Sequence, residues 1–140
     1  MNANAIDIIL VEDNPDEAKL TIRALKKRNL ANNLLHLWDG EEIIQYLQKE
    51  QHNNLPKLIL LDLKMPKIDG LVVIQHLKSD AKFKSIPIVV LTSSKENKDI
   101  KKAYELGANA YIVKPVDFEN FSQAVSELGI FWLIINQPPV

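Results

Sequence analysis

The chain has 140 residues, of which 46% are hydrophobic and 25% charged, and its formal net charge is −1 at pH 7. This length suits one domain, and the composition is that of a globular protein rather than a disordered, collagen-like or coiled-coil chain. Generic binders of nucleic acid or anionic membranes are normally more basic than this. The absence of cysteine excludes disulfide scaffolds, cysteine nucleophiles, cysteine-based zinc sites and iron–sulfur clusters.

Neither end of the sequence carries an export or membrane signal. Residues 1–5 lack the basic start and apolar stretch of a signal peptide. The apolar run at residues 130–135 is far shorter than the roughly 20 residues that a membrane-spanning helix needs. We therefore expect a cytoplasmic protein that has neither a membrane nor a nucleic acid as a direct partner.

Short apolar segments alternate with longer amphipathic ones along the chain. The short segments are residues 6–11, 34–38, 58–61, 88–91 and 110–113. Such nearly continuous apolar runs are typical of strands buried on both faces of a parallel sheet. Each run is followed by apolar residues at helical spacing, which are Ala18, Ile22 and Leu25, then Ile43, Tyr46 and Leu47, then Val73, Ile74 and Leu77, then Ile100, Ala103, Tyr104 and Leu106, and finally Phe118, Phe121, Val125, Leu128 and Trp132.

Five strands that alternate with five helices predict an α/β domain with a doubly wound, five-stranded parallel sheet. Local signals mark several helix ends. Asn14 and Pro15 suit the N-cap and first position of the first helix. Gly107 suits the left-handed position after the fourth helix, and Asp117 precedes the last one.

Polar side chains follow four of the five predicted strands. Glu12 and Asp13 follow the first, Asp62 the third, Thr92 the fourth and Lys114 the fifth. Functional groups in such sheets gather beyond the carboxyl ends of the strands. Three neighbouring carboxylates repel one another unless a hard cation such as Mg²⁺ binds them. An ammonium and a hydroxyl beside that cation can bind phosphate oxygens, and a carboxylate there can accept a phosphoryl group.

Five short motifs stand at the ends of these predicted elements. They are VEDN at 11–14, LDLKMP at 61–66, DG at 69–70, LT at 91–92 and VKP at 113–115. In order and spacing they resemble the receiver domain of bacterial response regulators. The resemblance implies a flavodoxin-like, CheY-like fold over residues 1–128. It also implies a single-domain response regulator of a two-component phosphorelay, which accepts a phosphoryl group from a sensor histidine kinase and signals by protein–protein contact.

The resemblance assigns the roles around the metal residue by residue. Asp62 would be the phosphoacceptor, and Asp13 and Asp62 would ligate Mg²⁺. The backbone carbonyl of Lys64 would be the third protein ligand, and Glu12 would contribute through a water molecule.

The remaining roles concern the phosphoryl group and the response to it. Thr92 and Lys114 would bind the phosphoryl oxygens, and the Lys114–Pro115 peptide would be cis. Tyr111 would be the aromatic switch residue, which packs inward when Thr92 is drawn to the phosphate. The surface that changes would comprise the fourth helix, fifth strand and fifth helix.

Three other functions compete with this one. A nucleotide-binding domain would need a glycine-rich first turn, whereas residues 12–16 contain no glycine and three acids. A haloacid-dehalogenase-type phosphatase would need an aspartate two residues after its nucleophile, and Lys64 stands there. A degenerate receiver would bind partners without phosphorylation. We expect no enzyme activity beyond phosphorylation and dephosphorylation of the chain itself.

Residues 129–140 extend beyond a minimal receiver, and no output domain is expected after them. Seven of the eight residues at 128–135 are large and apolar, which is typical of an interface rather than a solvated end. Phe131, Trp132 and Leu133 are the candidate interface anchors. The extension could also fold back on its own domain. It resembles that of the response regulators that partner phytochromes, which implies a homodimer and, by analogy, a phytochrome-type kinase.

Overall fold

Strands and helices alternate strictly through the computed structural model, which describes residues 6–27, 33–49, 55–65, 68–93 and 97–129. The strands are β1 (Ile8–Val11), β2 (Leu34–Leu37), β3 (Leu58–Asp62), β4 (Ile88–Thr92) and β5 (Ala110–Val113). The helices are α1 (Pro15–Lys26), α2 (Gly40–Lys49), α3 (Gly70–Lys78), α4 (Asn97–Leu106) and α5 (Phe118–Glu127). Among the helices described, none is long and apolar enough to cross a membrane.

The five strands form one parallel sheet in the order β2-β1-β3-β4-β5. The predicted doubly wound α/β fold is therefore confirmed. The chain builds β2 on one side of β1 and then crosses to β3 on the other side. This reversal opens a crevice beyond the carboxyl ends of β1 and β3, where ligands bind in open α/β sheets.

Two apolar clusters cover the two faces of the sheet. Alternate strand residues point to opposite faces, so Leu10 joins the cluster beneath α1 and α5, whereas Ile9 joins the cluster beneath α2, α3 and α4. All residues of β1, β3 and β4 are buried. This double coverage explains why their sequences are continuous apolar runs rather than alternating ones.

Hydrogen bonds at the helix and strand ends explain where the elements begin and stop. The Asn14 side chain accepts from two backbone N–H groups of α1, with Pro15 in the first turn, as predicted. Gly107 has a φ of +116°, also as predicted. The Trp38 N–H donates to Glu42 Oε1 at 2.7 Å rather than to a strand, so β2 ends at Leu37 and not at Trp38.

The last helix ends near the predicted boundary of the receiver domain. Leu128 caps α5, and Gly129 has a φ of +73°. Trp132 was predicted to continue the apolar face of this helix, and it lies outside the described residues, as do all of residues 130–140.

A lysine that the sequence pattern did not single out joins the end of α3 to the α3–β4 and α4–β5 connections at the amino-terminal edge of the sheet. Lys78 Nζ donates to the backbone oxygens of Lys84 and Ile86 at 3.0 and 2.9 Å, and to Asn109 Oδ1 at 3.1 Å. Asn109 Oδ1 also accepts the N–H of Ile88 at the start of β4. Burial lowers the pKa of Lys78. The hydrogen bonds of this ammonium thus stabilise the connections at the end of the sheet opposite the candidate site.

Candidate functional site

Three carboxylates meet at the crevice between β1 and β3. Glu12, Asp13 and Asp62 each have a carboxylate oxygen within 4.8 Å of the others. Glu12 is 0% exposed and Asp62 is 5% exposed, whereas Asp13 is partly buried. The predicted convergence of these side chains is therefore confirmed, and two of the three carboxylates are almost completely removed from water.

The end of β3 fixes the position of Asp62. Asp62 pairs with Leu91 of β4, and the N–H of Lys64 lies 3.4 Å from Asp62 Oδ1. Gly70 at the start of α3 packs directly on this backbone, because a Cβ there would lie 2.7 Å from both the Asp62 carbonyl oxygen and the Leu63 Cα. The DG motif thus brings α3 against the strand end that carries the candidate acceptor, and Asp69 caps the helix.

Lys114 brings the only positive charge that the described residues place against these carboxylates. Its Nζ lies 2.7 Å from Glu12 Oε1 and 3.3 Å from Asp62 Oδ1. The Lys114–Pro115 peptide is cis, as the sequence resemblance implied. Lys114 also contacts Glu17 Oε2 of α1 at 2.7 Å. Sequence reasoning missed Glu17, and its acidic position in the first helical turn was the only local signal.

Burial and charge change the proton affinity of both partners. The pKa of Asp62 is raised to about 7, chiefly by burial and further by the hydrogen bond and charge of Glu12, while Lys114 opposes the rise. Burial by itself lowers the pKa of Lys114, but its hydrogen bonds with Glu12 and Glu17 and the charge of Asp62 outweigh burial and raise it. Lys114 therefore stays charged near neutral pH, and one ammonium only partly offsets the surrounding negative charge.

The donor set fits a hard divalent cation. Mg²⁺ and Mn²⁺ prefer oxygen ligands, and clustered carboxylates are their common protein donors. Glu12, Asp13 and Asp62 supply such oxygens within one small volume. The Lys64 backbone lies beside Asp62, while ligation by the Lys64 carbonyl and by Glu12 through water stay predictions.

The two residues predicted for switching lie on neighbouring strands. Thr92 is the buried last residue of β4, and its carbonyl accepts the N–H of Lys114 at 2.7 Å. Tyr111 on β5 is 42% exposed, and its ring packs edge-on against Tyr104 of α4 with centroids 6.2 Å apart. The structure therefore holds Tyr111 in the outward position. Phe131, Trp132 and Leu133, the predicted interface anchors, lie outside the described residues.

An aromatic pair adjoins the cluster on the β2 side. His36 Nε2 lies 2.9 Å from the backbone oxygen of Glu12. The His36 ring packs against Trp38 with centroids 4.1 Å apart, and Trp38 is partly exposed. The indole is thus linked to the strand end that carries Glu12 and Asp13 through one imidazole.

Comparison with known proteins identifies a family for most of the chain. The response regulator receiver domain matches residues 8–126. The solved structure of the bacteriophytochrome response regulator AtBRR is 46% identical, with a TM-score of 0.82 over 95% of this chain and 99% of that one.

Two curated relatives cover most of their own length. Response regulator Rcp1 of Synechocystis is 36% identical over 90% of this chain and 88% of that protein. A probable methanogenesis regulatory protein, FilR2 of Methanothrix harundinacea, is 37% identical over 94% and 86%. A structure of Rcp1 in its Mn²⁺-bound form is 33% identical, with a TM-score of 0.72 over 96% of this chain and 98% of that one.

The raised pKa of Asp62 predicts a stabilising substitution. Asp62→Asn in EDTA should raise the free energy of unfolding more at pH 8 than at pH 5, by a few kcal/mol at most. The pKa of Asp62 rises from 3.8 to about 7 on folding, so the native chain loses stability as pH rises through this window, whereas asparagine does not titrate. Urea unfolding at both pH values measures the difference.

Asp99→Asn is the matched control, because Asp99 lines the groove beside Asp13 without belonging to the carboxylate cluster. Because Asp99→Asn keeps Asp62, its free energy of unfolding should fall between pH 5 and pH 8 by the same amount as that of the native chain. An Asp62→Asn gain of equal size at pH 5 and pH 8 would contradict the effect of burial on Asp62. Saturating Mg²⁺ should reduce the difference between the native chain and Asp62→Asn, because the cation offsets the carboxylate repulsion.

Proposed function

Because this chain belongs to the response regulator receiver family, we propose that Asp62 is its phosphoacceptor and that Thr92 and Lys114 bind the transferred phosphoryl group. The observation that carries the proposal is the position of Lys114 Nζ, 3.3 Å from Asp62 Oδ1 within the buried carboxylate cluster. An ammonium so close to the acceptor can bind the phosphoryl oxygens once they arrive.

The proposed reaction moves a phosphoryl group from a phosphohistidine or from acetyl phosphate to Asp62, where it forms an acyl phosphate. An Asp62 carboxylate oxygen attacks phosphorus and forms the new P–O bond. The bond from phosphorus to the histidine nitrogen, or to the acetate oxygen of acetyl phosphate, breaks, and its electron pair leaves with the donor. Lys114 offsets charge on the phosphoryl oxygens, and positioning supplies most of the acceleration.

The cation in this proposal is Mg²⁺. Asp13 and Asp62 would hold it directly, the backbone carbonyl of Lys64 would be its third protein ligand, and Glu12 would reach it through water. When bound, it would neutralise charge between the carboxylates and the phosphoryl oxygens. The existence of a Mn²⁺-bound form of Rcp1 supports the binding of a divalent cation by this chain.

The alternatives fit the geometry less well. A binding module that acts without phosphorylation would not require a buried carboxylate such as Asp62 beside the ammonium of Lys114. The first turn carries Asp13 and Glu17 and no glycine, which disfavours a nucleotide-binding loop. The chain's own chemistry, in this proposal, is confined to phosphorylation and hydrolysis at Asp62.

Receiver domains interact with histidine kinases, so the partner class follows from the family. We propose a phytochrome-type kinase for this chain, because AtBRR is described as a bacteriophytochrome response regulator. The proposed location is the cytoplasm, where kinase domains and acetyl phosphate are found. The output would be contact with another protein through the face that phosphorylation changes.

Acetyl phosphate with Mg²⁺ should add one labile phosphate to the chain, because the cluster then carries both the cation and an activated donor. Asp62→Asn should lose the label, and EDTA should prevent it. Asp99→Asn, which changes a nearby carboxylate outside the cluster, should keep it. Intact-mass spectrometry measures the label. Equal labelling of Asp62→Asn, or of the native chain in EDTA, would contradict the assignment.

Phosphorylation should move Tyr111 from its outward position toward the interior by drawing Thr92 to the phosphoryl group. The phosphate can only shift an equilibrium between existing conformations. Thr92→Ala should therefore still accept phosphate but lose most of the response of Tyr111. NMR signals of the Tyr111 ring, with and without phosphodonor, report the change. A full response in Thr92→Ala would contradict coupling through Thr92.

We further propose that residues 129–140 join the surface of α4, β5 and α5 in a homodimer. The apolar run at 128–135 and the exposed rings of Tyr104 and Tyr111 on that surface support it, because apolar patches of this kind mark interfaces. Phe131, Trp132 and Leu133 would be the anchors, and a two-fold pair would cover both copies.

The full chain should sediment as a dimer at tens of micromolar, whereas a variant that ends at Leu128 should be a monomer. Sedimentation with and without phosphodonor also shows whether phosphorylation changes the association. A monomeric full chain under both conditions would contradict the dimer and favour packing of the extension on its own domain.

A further inference from the structure

Glu17 is the third residue of α1. The hydrogen bond that a glutamate often accepts at this position is accepted here by Glu12. In a capping box, the third residue of a helix bonds back to the N–H of the N-cap residue. Here the N–H of the N-cap residue, Asn14, donates to Glu12 Oε2 at 3.3 Å, while the N–H of Glu17 donates to Asn14 Oδ1. The Glu17 carboxylate is therefore available for Lys114, 97 residues later in the chain.

The ammonium of Lys114 contacts three carboxylates, one of which lies outside the proposed phosphoryl site. Its Nζ lies 2.7 Å from Glu12 Oε1, 2.7 Å from Glu17 Oε2 and 3.3 Å from Asp62 Oδ1, and it donates a hydrogen bond to Glu17. Glu12 and Asp62 belong to the carboxylate cluster, and Glu17 does not. Glu17 thus adds negative charge beside Lys114 without adding a carboxylate to the cluster.

The surroundings of Glu17 make its contact the easiest of the three to exchange. The Glu17 side chain is 40% exposed, whereas Glu12 is fully buried, so water can replace Lys114 at Glu17 at small cost. Glu17 and Lys114 also line one cavity of about 220 Å³, together with Leu20 and Ser93. The lysine side chain therefore has space on the Glu17 side in which to turn.

We propose that Glu17 is a positioning residue that holds Lys114 at the rim of the site and competes with the phosphoryl group for its ammonium. This inference rests on the proposed role of Asp62 as phosphoacceptor. A phosphoryl group on Asp62 draws Lys114 donors toward its oxygens, and the negative charge of Glu17 opposes that shift. Glu17 thereby lowers the stability of the phosphorylated state.

The test is the affinity of the full chain for beryllofluoride, a mimic of the phosphoryl group, in the presence of Mg²⁺. Glu17→Gln keeps the size of the side chain and removes its charge. It should bind beryllofluoride about two- to ten-fold more tightly than the native chain, a range that corresponds to a partly exposed ion pair. Asp16→Asn removes a neighbouring charge from the same exposed helix turn and should leave the affinity unchanged.

Two further measurements separate positioning from a structural role. The ¹⁵N signal of Lys114 Nζ should shift in Glu17→Gln before beryllofluoride is added and should stay in place in Asp16→Asn. In a Lys114→Ala background, Glu17→Gln should no longer change the affinity for beryllofluoride, because the competition acts through Lys114. A merely structural role would change thermal stability without changing these readouts.

Unchanged or weaker beryllofluoride binding by Glu17→Gln, or an equal gain in Asp16→Asn, would overturn the inference while leaving the phosphoacceptor intact. A native chain that neither binds beryllofluoride with Mg²⁺ nor is labelled at Asp62 would instead overturn the proposed function and this inference with it. Tighter binding restricted to Glu17→Gln supports both.

Discussion

The burial of Glu12 and Asp62 side by side is the constraint on which the rest of the site depends. Two carboxylates that are almost fully withdrawn from water cannot both carry charge without a positive partner. Lys114 supplies one such charge, and burial still leaves the pKa of Asp62 raised to about 7. The domain is thus built with a deficit of positive charge, which a divalent cation can fill. The fold thus places more negative than positive charge at this site, which favours the binding of a cation.

The sheet makes this arrangement possible by separating stability from function. Its central strands are buried on both faces, so the apolar clusters hold the strand ends without using any charged side chain. The crossover from β2 to β3 then leaves the crevice between β1 and β3 open. Gly70 keeps α3 in close contact with the end of β3. The buried strands therefore position the acidic groups at the open edge of the sheet.

Much of this arrangement was predictable because its signals are local. The buried strands are continuous apolar runs, and the capping residue Asn14 and the carboxylates Asp13 and Asp62 stand where predicted elements end. Glu17 and Lys78 were not predictable, since their partners lie far away in sequence and their positions resemble ordinary surface sites. The rotamer of Tyr111 could not be predicted from the sequence for the same reason, because its ring contact with Tyr104 forms only when α4 packs beside β5.

The contact between His36 and Trp38 has a practical consequence. The chain contains two tryptophans, and the indole of Trp38 lies one imidazole away from the backbone of Glu12. Indole emission responds to the polarity and motion of neighbouring groups, and two short contacts connect this ring to the end of β1. The indole of Trp38 is therefore a natural fluorophore placed beside the carboxylate cluster.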